Sequence, residues 1–165
     1  MASDEIDART PVLVGVGQAT ERLGEPGYRC RSPVDLAADA ARAALADADA
    51  GAGAAGAARL AAAIDTVAGV RQFEISRPDA PSPLGRSDNY PRSVAGRIGA
   101  APARAILSVS GGQVPQQLVT ELAATIASGG ADVALVFGSE AISTVQHFAG
   151  QDERPDFSEH ADGSP

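Results

Sequence analysis

No tryptophan and no lysine occur in these 165 residues, and cysteine and methionine occur once each. A single cysteine excludes an internal disulfide framework and suits a reducing compartment, so a cytoplasmic protein is the expectation. Aromatic residues make up only 4% of the chain. Its core must therefore be built from aliphatic side chains and close backbone approach rather than from large rings. Thirteen arginines stand against twenty-one carboxylates, for a formal charge of −8. That balance argues against a nucleic-acid partner, which needs a concentrated basic surface, but local arginine clusters could still hold a phosphorylated small molecule. No apolar run approaches the ~20 residues of a membrane helix, and the polar, acidic opening is unlike a signal peptide. What the chain has in quantity is alanine and glycine, enough apolar material for one domain.

The stretch 103–140 organises the rest. An apolar segment at 105–109 stops at Ser110, Gly111, Gly112 and Gln113, helical spacing follows over 114–128, and a second apolar segment fills 133–137. This order reads as strand, sharp turn, helix, strand. Glu121 is the only charged residue of that helix. Leu118, Leu122 and Ile126 form one line along it, with Val119, Ala123 and Ala127 beside it. The spacing fits a helix buried between two layers, and also an alanine-rich helix with one wet face.

Elsewhere, 12–16 reads as a short buried strand. Its Gly15 and Gly17 half-match a dinucleotide-binding fingerprint, but Gly24, Pro26 and Gly27 keep a helix from following, so the match fails. Ser32, Pro33 and Asp35 mark a helix start, as N-cap, first-turn proline and dipole-facing carboxylate, for a helix to about Ala48. Cys30 lies between Arg29 and Arg31, a setting that favours thiolate, yet no histidine is near it in sequence; it reads as a nucleophile or as an idle loop thiol. Residues 50–63 are a connector or part of a helix, 64–70 a strand, and 71–89 a proline-punctuated loop carrying Arg71, Arg77 and Arg86. These arginines, with Arg92, either meet phosphates or keep the loop soluble. Pro91 opens a short helix over 92–98 that Gly99 stops.

The run from Ser108 to Gln117, its helix, and the segment from Ala131 through Gly138, Ser139 and Glu140 resemble the nucleophile turn, central helix and next strand of the thiolase superfamily. The opening 11–20 resembles the start of its sterol-carrier and lipid-transfer type members. The resemblance spans about residues 10–150 and implies a three-layer α/β/α domain with a mixed sheet in the family order 3-2-4-5-1. Strands one to four are present here, while strand five and the C-terminal half are missing. It divides the chain into a disordered lead-in (1–9), a partial N-terminal domain (10–150) and an acidic disordered tail (151–165).

The activity implied is acyl transfer between a thioester and coenzyme A, with a coenzyme A thioester as ligand and no bound cofactor or metal. Such chemistry needs a nucleophile, a base, a second acid/base and oxyanion donors. The alignment puts Val109 where the family carries its cysteine, and the family's later histidine and cysteine loops have no match here. Ser110 is the one hydroxyl placed to act instead, as nucleophile or as plain turn or cap residue, with Gly111, Gly112 and Gln113 as candidate substrate-binding positions. The expectation is a chain inactive alone, or an acyl-CoA-binding or thiolase-partner subunit, a homodimer, or an orphan fragment.

Overall fold

The computed structural model describes residues 6–49, 53–77 and 79–165. Three short parallel strands form its sheet: β1 (Thr66–Gly69), β2 (Arg104–Leu107) and β3 (Ala134–Phe137), in the order β2-β1-β3. Five helices flank them: α1 (Pro33–Ala48), α2 (Ala54–Ala63), α3 (Tyr90–Arg97), α4 (Val114–Ala127) and α5 (Ile142–Phe148). This is a small α/β domain, and β1 at its centre is buried along its whole length.

Each helix begins where local chemistry allows. At α1, the Ser32 hydroxyl accepts from Asp35 N at 3.1 Å, satisfying one of the first-turn amides that have no partner within the helix. Burial opposes the charge on Asp35, but the Ser32 hydroxyl and Arg97 hold its carboxyl below the usual range. α2 is a full helix from Ala54, which settles the choice left open for 50–63, although 50–52 lie outside the described residues. α3 starts at Tyr90, ahead of the expected 92, with Pro91 in its first turn.

The core has two parts. On one side of the sheet, Val34, Ala37, Leu45, Val67, Val94 and Phe137 pack with Tyr90. The Tyr90 and Phe137 rings meet edge to face at 5.2 Å. Gly69 ends β1 against this pair, where a Cβ would lie 3.1 Å from Phe137 Cζ, so glycine lets the strand end sit close to the rings. On the other side, Val114, Leu118 and Leu122 of α4 cover Ala68, Ile106 and Val136. Burying each such leucine contributes about 1.5–3 kcal/mol.

The expected first strand is a correction. Residues 12–16 run without a strand partner, so the sheet has three strands rather than four. A strand is defined by its neighbour, and this segment lies instead along α1. Val16 N donates to Asp47 Oδ2 at 2.9 Å. A Cβ built on Gly17 would sit 2.1 Å from Ala40 O, and one on Gly15 2.3 Å from Ala44 O. The two glycines thus allow backbone-to-helix contact, while Val12 and Leu13 point to solvent at 72% and 82% exposure. Between this segment and β3 lies an apolar groove of about 570 Å³, floored by Val119 and Ala123 of α4.

The expected enclosure of α4 between two layers is also not met within this chain. Leu118 and Leu122 are covered, but Val119 on the neighbouring line is 48% exposed. Of the expected lead-in, residues 1–5 lie outside the described residues and 6–9 are exposed.

The acidic tail, expected to be disordered, is laid against α3 and the loop before it. Arg97 bridges Asp35 (2.7 Å) and Glu159 (2.5 Å). Asn89 Nδ2 donates to Gly163 O at 2.9 Å, and His160 pairs with Asp88. Its lack of aliphatic residues conceals this docking, because polar and backbone groups hold it.

Candidate functional site

Parallel strands place the loops that follow them at one edge of the sheet, and it is there that this chain gathers its polar groups. After β1 come Arg71, Gln72 and a 3-10 turn, Phe73–Ile75; after β2 comes the turn 108–113; after β3 come Gly138, Ser139 and Glu140.

Hydrogen bonds tie these loops together. Arg71 Nε donates to Ser108 O at 3.3 Å, joining the first loop to the second. Phe73 N donates to Glu140 Oε1 at 2.7 Å, joining the first to the third. Ser139 Oγ donates to Pro33 O at 2.5 Å. The Tyr90 hydroxyl, 2.7 Å from Ser139 Oγ, therefore donates to it, and the chain of hydroxyls locks the end of β3 to the starts of α1 and α3.

Two carboxylates share this edge, and sequence reasoning missed them as a pair. Burial raises Glu74, and the charge of Glu140 raises it further. Burial also raises Glu140, against the opposing Phe73 N–H. Beside Glu74 is a cavity of about 40 Å³, room for a water molecule, lined by Gln72, Val145 and Phe157. The amide oxygen of Gln72 is buried with no hydrogen-bond partner among the described residues. Glu140 was visible in the sequence within its Gly-x-Glu element; Glu74, inside a loop with no periodic pattern, carried no signal.

The turn at 108–113 holds the candidate residues. Val109 is 66% exposed. The Ser108 hydroxyl is engaged with Gly69 O at 3.2 Å and Val109 O at 3.0 Å. Ser110 is half-buried, and its hydroxyl makes no hydrogen bond among the described residues. It does not cap α4, whose N-cap residue is Gln113, without a side-chain cap bond. The Gln113 side chain folds back over Gly111, where a Cβ would lie 2.9 Å from Gln113 Oε1, whereas Gly112 has open space beside its Cα. The structure thus brings Ser110, Gly111, Gly112 and Gln113 into one turn at the head of α4 and, among the described residues, supplies no base to Ser110. His160 is held by Asp88 and Asp162, and His147 stacks edge to face on Phe148 at 4.8 Å.

Cys30 is not part of this turn. Its backbone is left-handed, with φ of 53°, and the arginines beside it are committed elsewhere. Arg31 pairs with Glu21 at 3.2 Å and with Asp39, and Arg29 with Glu21 at 3.7 Å. Both positive neighbours that favoured a thiolate on sequence grounds are thus balanced by carboxylates.

These features define a small α/β domain whose loops converge at one edge of a parallel sheet. A crystal structure of a monomeric SCP2-thiolase-like protein type 1 from Mycobacterium smegmatis is similar to it, at 51% identity and a TM-score of 0.63 over 82% of this chain. This chain spans 24% of that protein's length. The likeness supports the thiolase-like superfamily, and the relative's description as monomeric gives no counterpart to the expected homodimer. No protein-family model and no curated protein matches the sequence. Among the described residues, no helix is long and apolar enough to cross a membrane.

Proposed function

We propose that this chain is a thiolase-like domain that binds an acyl thioester of coenzyme A without itself forming an acyl-enzyme. The observation that carries this reading is the turn at the head of α4. An exposed valine stands at the position where the family resemblance puts the nucleophile, and the adjacent Ser110 has neither base nor orienting partner among the described residues. Nucleophilic catalysis by a serine needs both. The binding half of the chemistry requires only backbone donors at a helix start and room beside them. Gly112 leaves that room, and the open amides precede Val114.

The test is to incubate the purified chain with acetyl-CoA and follow intact mass and amide exchange together. Unchanged mass with slowed exchange over 108–113 is the expected result. An acetyl adduct mapping to Ser110 would establish an acyltransferase instead, and unchanged exchange would remove the binding role.

The groove between 11–17 and β3 favours a second reading, a subunit completed by a thiolase-like partner chain. Both walls of that groove are apolar, and 11–17 forms no strand pair with β3. Under this reading, aspartate at Val119 abolishes association with the partner while leaving thioester binding at the turn intact.

A further inference from the structure

The cavity beside Glu74 is enclosed by the first loop, by residues 81–87, by α5 and by the tail. Leu84, Val145 and Phe157 give it apolar walls, while Gln72 and Glu74 are among its polar lining. Two of the hydroxyls around it are already engaged: Ser32 Oγ with Asp35 Oδ2 at 2.9 Å, and Ser87 Oγ with Ser93 Oγ at 2.8 Å. Gln72 is not. It is 8% exposed, and its Oε1 is buried with no hydrogen-bond partner among the described residues. A buried acceptor left unpaired is costly, so it marks a place for a donor.

The charges point the same way. Neither Glu74 nor Glu140 has a cationic partner among the described residues. Glu140 spends Oε1 on Phe73 N, and Arg71, on the same loop as Glu74, is turned to Ser108 O. Burial, then the charge of Glu140, raises Glu74, as befits a half-buried carboxylate beside a like charge. A metal ion does not suit the place. No group of three His, Cys, Asp or Glu that could hold one occurs among the described residues, and hard cations require several oxygen ligands. Apolar walls with a few polar groups instead fit a small organic molecule. The volume of about 40 Å³ is roughly three times what one water requires, which admits about three non-hydrogen atoms.

We propose that this cavity binds a short primary alkylammonium group, its N–H donors on Gln72 Oε1 and the Glu74 carboxylate and its alkyl end against Leu84, Val145 and Phe157. None of the residues 108–113 lines it, so the site is independent of thioester binding at that turn. Arg86, exposed at the same cavity, opposes a cation there, and its removal should tighten binding.

Ethylammonium chloride is the probe, with ethanol as its neutral isostere and sodium chloride at equal ionic strength as the screening control. Binding to the full, isotope-labelled chain is followed at the Gln72 side-chain amide and at the Leu84 and Val145 methyl resonances. A ligand of about three non-hydrogen atoms binds at about millimolar at best. Ethylammonium is expected to shift all three sets of resonances, ethanol to do so about tenfold more weakly, and sodium not at all. Glu74→Gln is expected to weaken ethylammonium binding about tenfold, and Arg86→Gln to strengthen it. Neither side chain makes an ion pair among the described residues, so both replacements leave the fold intact, which circular dichroism verifies.

Five results would overturn the proposal. Equal responses to ethylammonium and ethanol would mean a neutral slot that any hydroxyl fills. Equal responses to ethylammonium and sodium would mean screening of the two carboxylates. No response up to about 100 mM, some hundredfold above the affinity limit for so small a ligand, would leave the cavity to water. A response unchanged by Glu74→Gln would place the ammonium elsewhere, and weaker binding to Arg86→Gln would reverse the sign of the field at the site.

Discussion

The relay from Tyr90 through Ser139 to Pro33 allows a prediction in which two substitutions in one hydrogen-bonded chain have unequal costs. Ser139 Oγ gives its single proton to Pro33 O at 2.5 Å and receives one from the Tyr90 hydroxyl at 2.7 Å. Tyr90→Phe deletes the outer donor and leaves Ser139 still bonded to Pro33, so it should cost only the net worth of one hydrogen bond, about 0.5–1.5 kcal/mol. Ser139→Ala deletes the middle of the relay. It leaves the Tyr90 hydroxyl, in a residue 2% exposed, without its acceptor, while Pro33 O keeps its bond within α1. An unsatisfied buried group costs about 1–3 kcal/mol, so Ser139→Ala should be the more damaging change. Burial also raises the Tyr90 hydroxyl far above neutrality, so it remains a donor across the accessible pH range. The double variant should be less destabilised than the sum of the two, because a phenylalanine has no hydroxyl to leave unpaired. Urea denaturation followed by far-ultraviolet circular dichroism suits a chain without tryptophan. A cost for Tyr90→Phe equal to or above that of Ser139→Ala, or costs that add to within about 0.5 kcal/mol, would refute the relay.

Other consequences are read the same way. Leu118→Ala removes a buried side chain between α4 and the sheet and should cost about 2–5 kcal/mol in the same denaturation experiment. Gly17→Ala places a Cβ 2.1 Å from Ala40 O, so the 11–17 segment must lift from α1, at a cost of about 1–3 kcal/mol with faster amide exchange at Val16. The hydrogen bond to Asp88, then that to Asp162, raises His160, whose stabilising contribution is complete below its unfolded value of 6.5 and is lost as pH rises through the folded value. The His160 bond, then the Ala161 N–H, lowers Asp88, whose contribution is complete above 3.8 and is lost as pH falls through its folded value. Tail docking should therefore be firmest between pH 3.8 and 6.5. Proton resonances of His160 that titrate below 6.5 would contradict this.

Much of this architecture was legible because local chemistry and tertiary packing agree in the relevant segments. Ser32, Pro33 and Asp35 encode the start of α1 with side chains that act within one turn of themselves, and the structure uses Ser32 as expected. The apolar runs before Gly111 and before Gly138 become β2 and β3 because both flank a buried β1. The segment at 12–16 reads as a strand from its composition, but pairing is a property of two segments, and its apolar residues face a groove here. The tail failed in the opposite direction: its aliphatic-poor composition reads as disorder, while Arg97, Asn89 and Asp88, all distant in sequence, supply its anchors. At the candidate site, the glycine turn and Glu140 could be seen in the sequence. The partnership of Glu140 with Phe73 and Glu74 depends on loops that converge only when the sheet is assembled.

The second apolar line of α4 distinguishes what this chain needs in order to fold from what it offers to other molecules. Leu122 and Val119 lie on adjacent lines of one helix, but Leu122 is buried against the sheet while Val119 is 48% exposed on the groove floor. Val119→Gln should therefore change stability by no more than about 0.5 kcal/mol, as surface substitutions do, whereas Leu122→Ala should cost about 2–5 kcal/mol. The same Val119→Gln change should reduce binding of a hydrophobic dye, because an open apolar groove takes up such a probe and a glutamine side chain makes its floor polar. If Val119→Gln cost more than about 1 kcal/mol, the isolated chain would already be covering that face, by self-association or by closure of 12–16 onto α4. If stability held and dye binding fell, the apolar character of this line would contribute nothing to folding of the isolated chain. Its function would then be sought in whatever covers the groove.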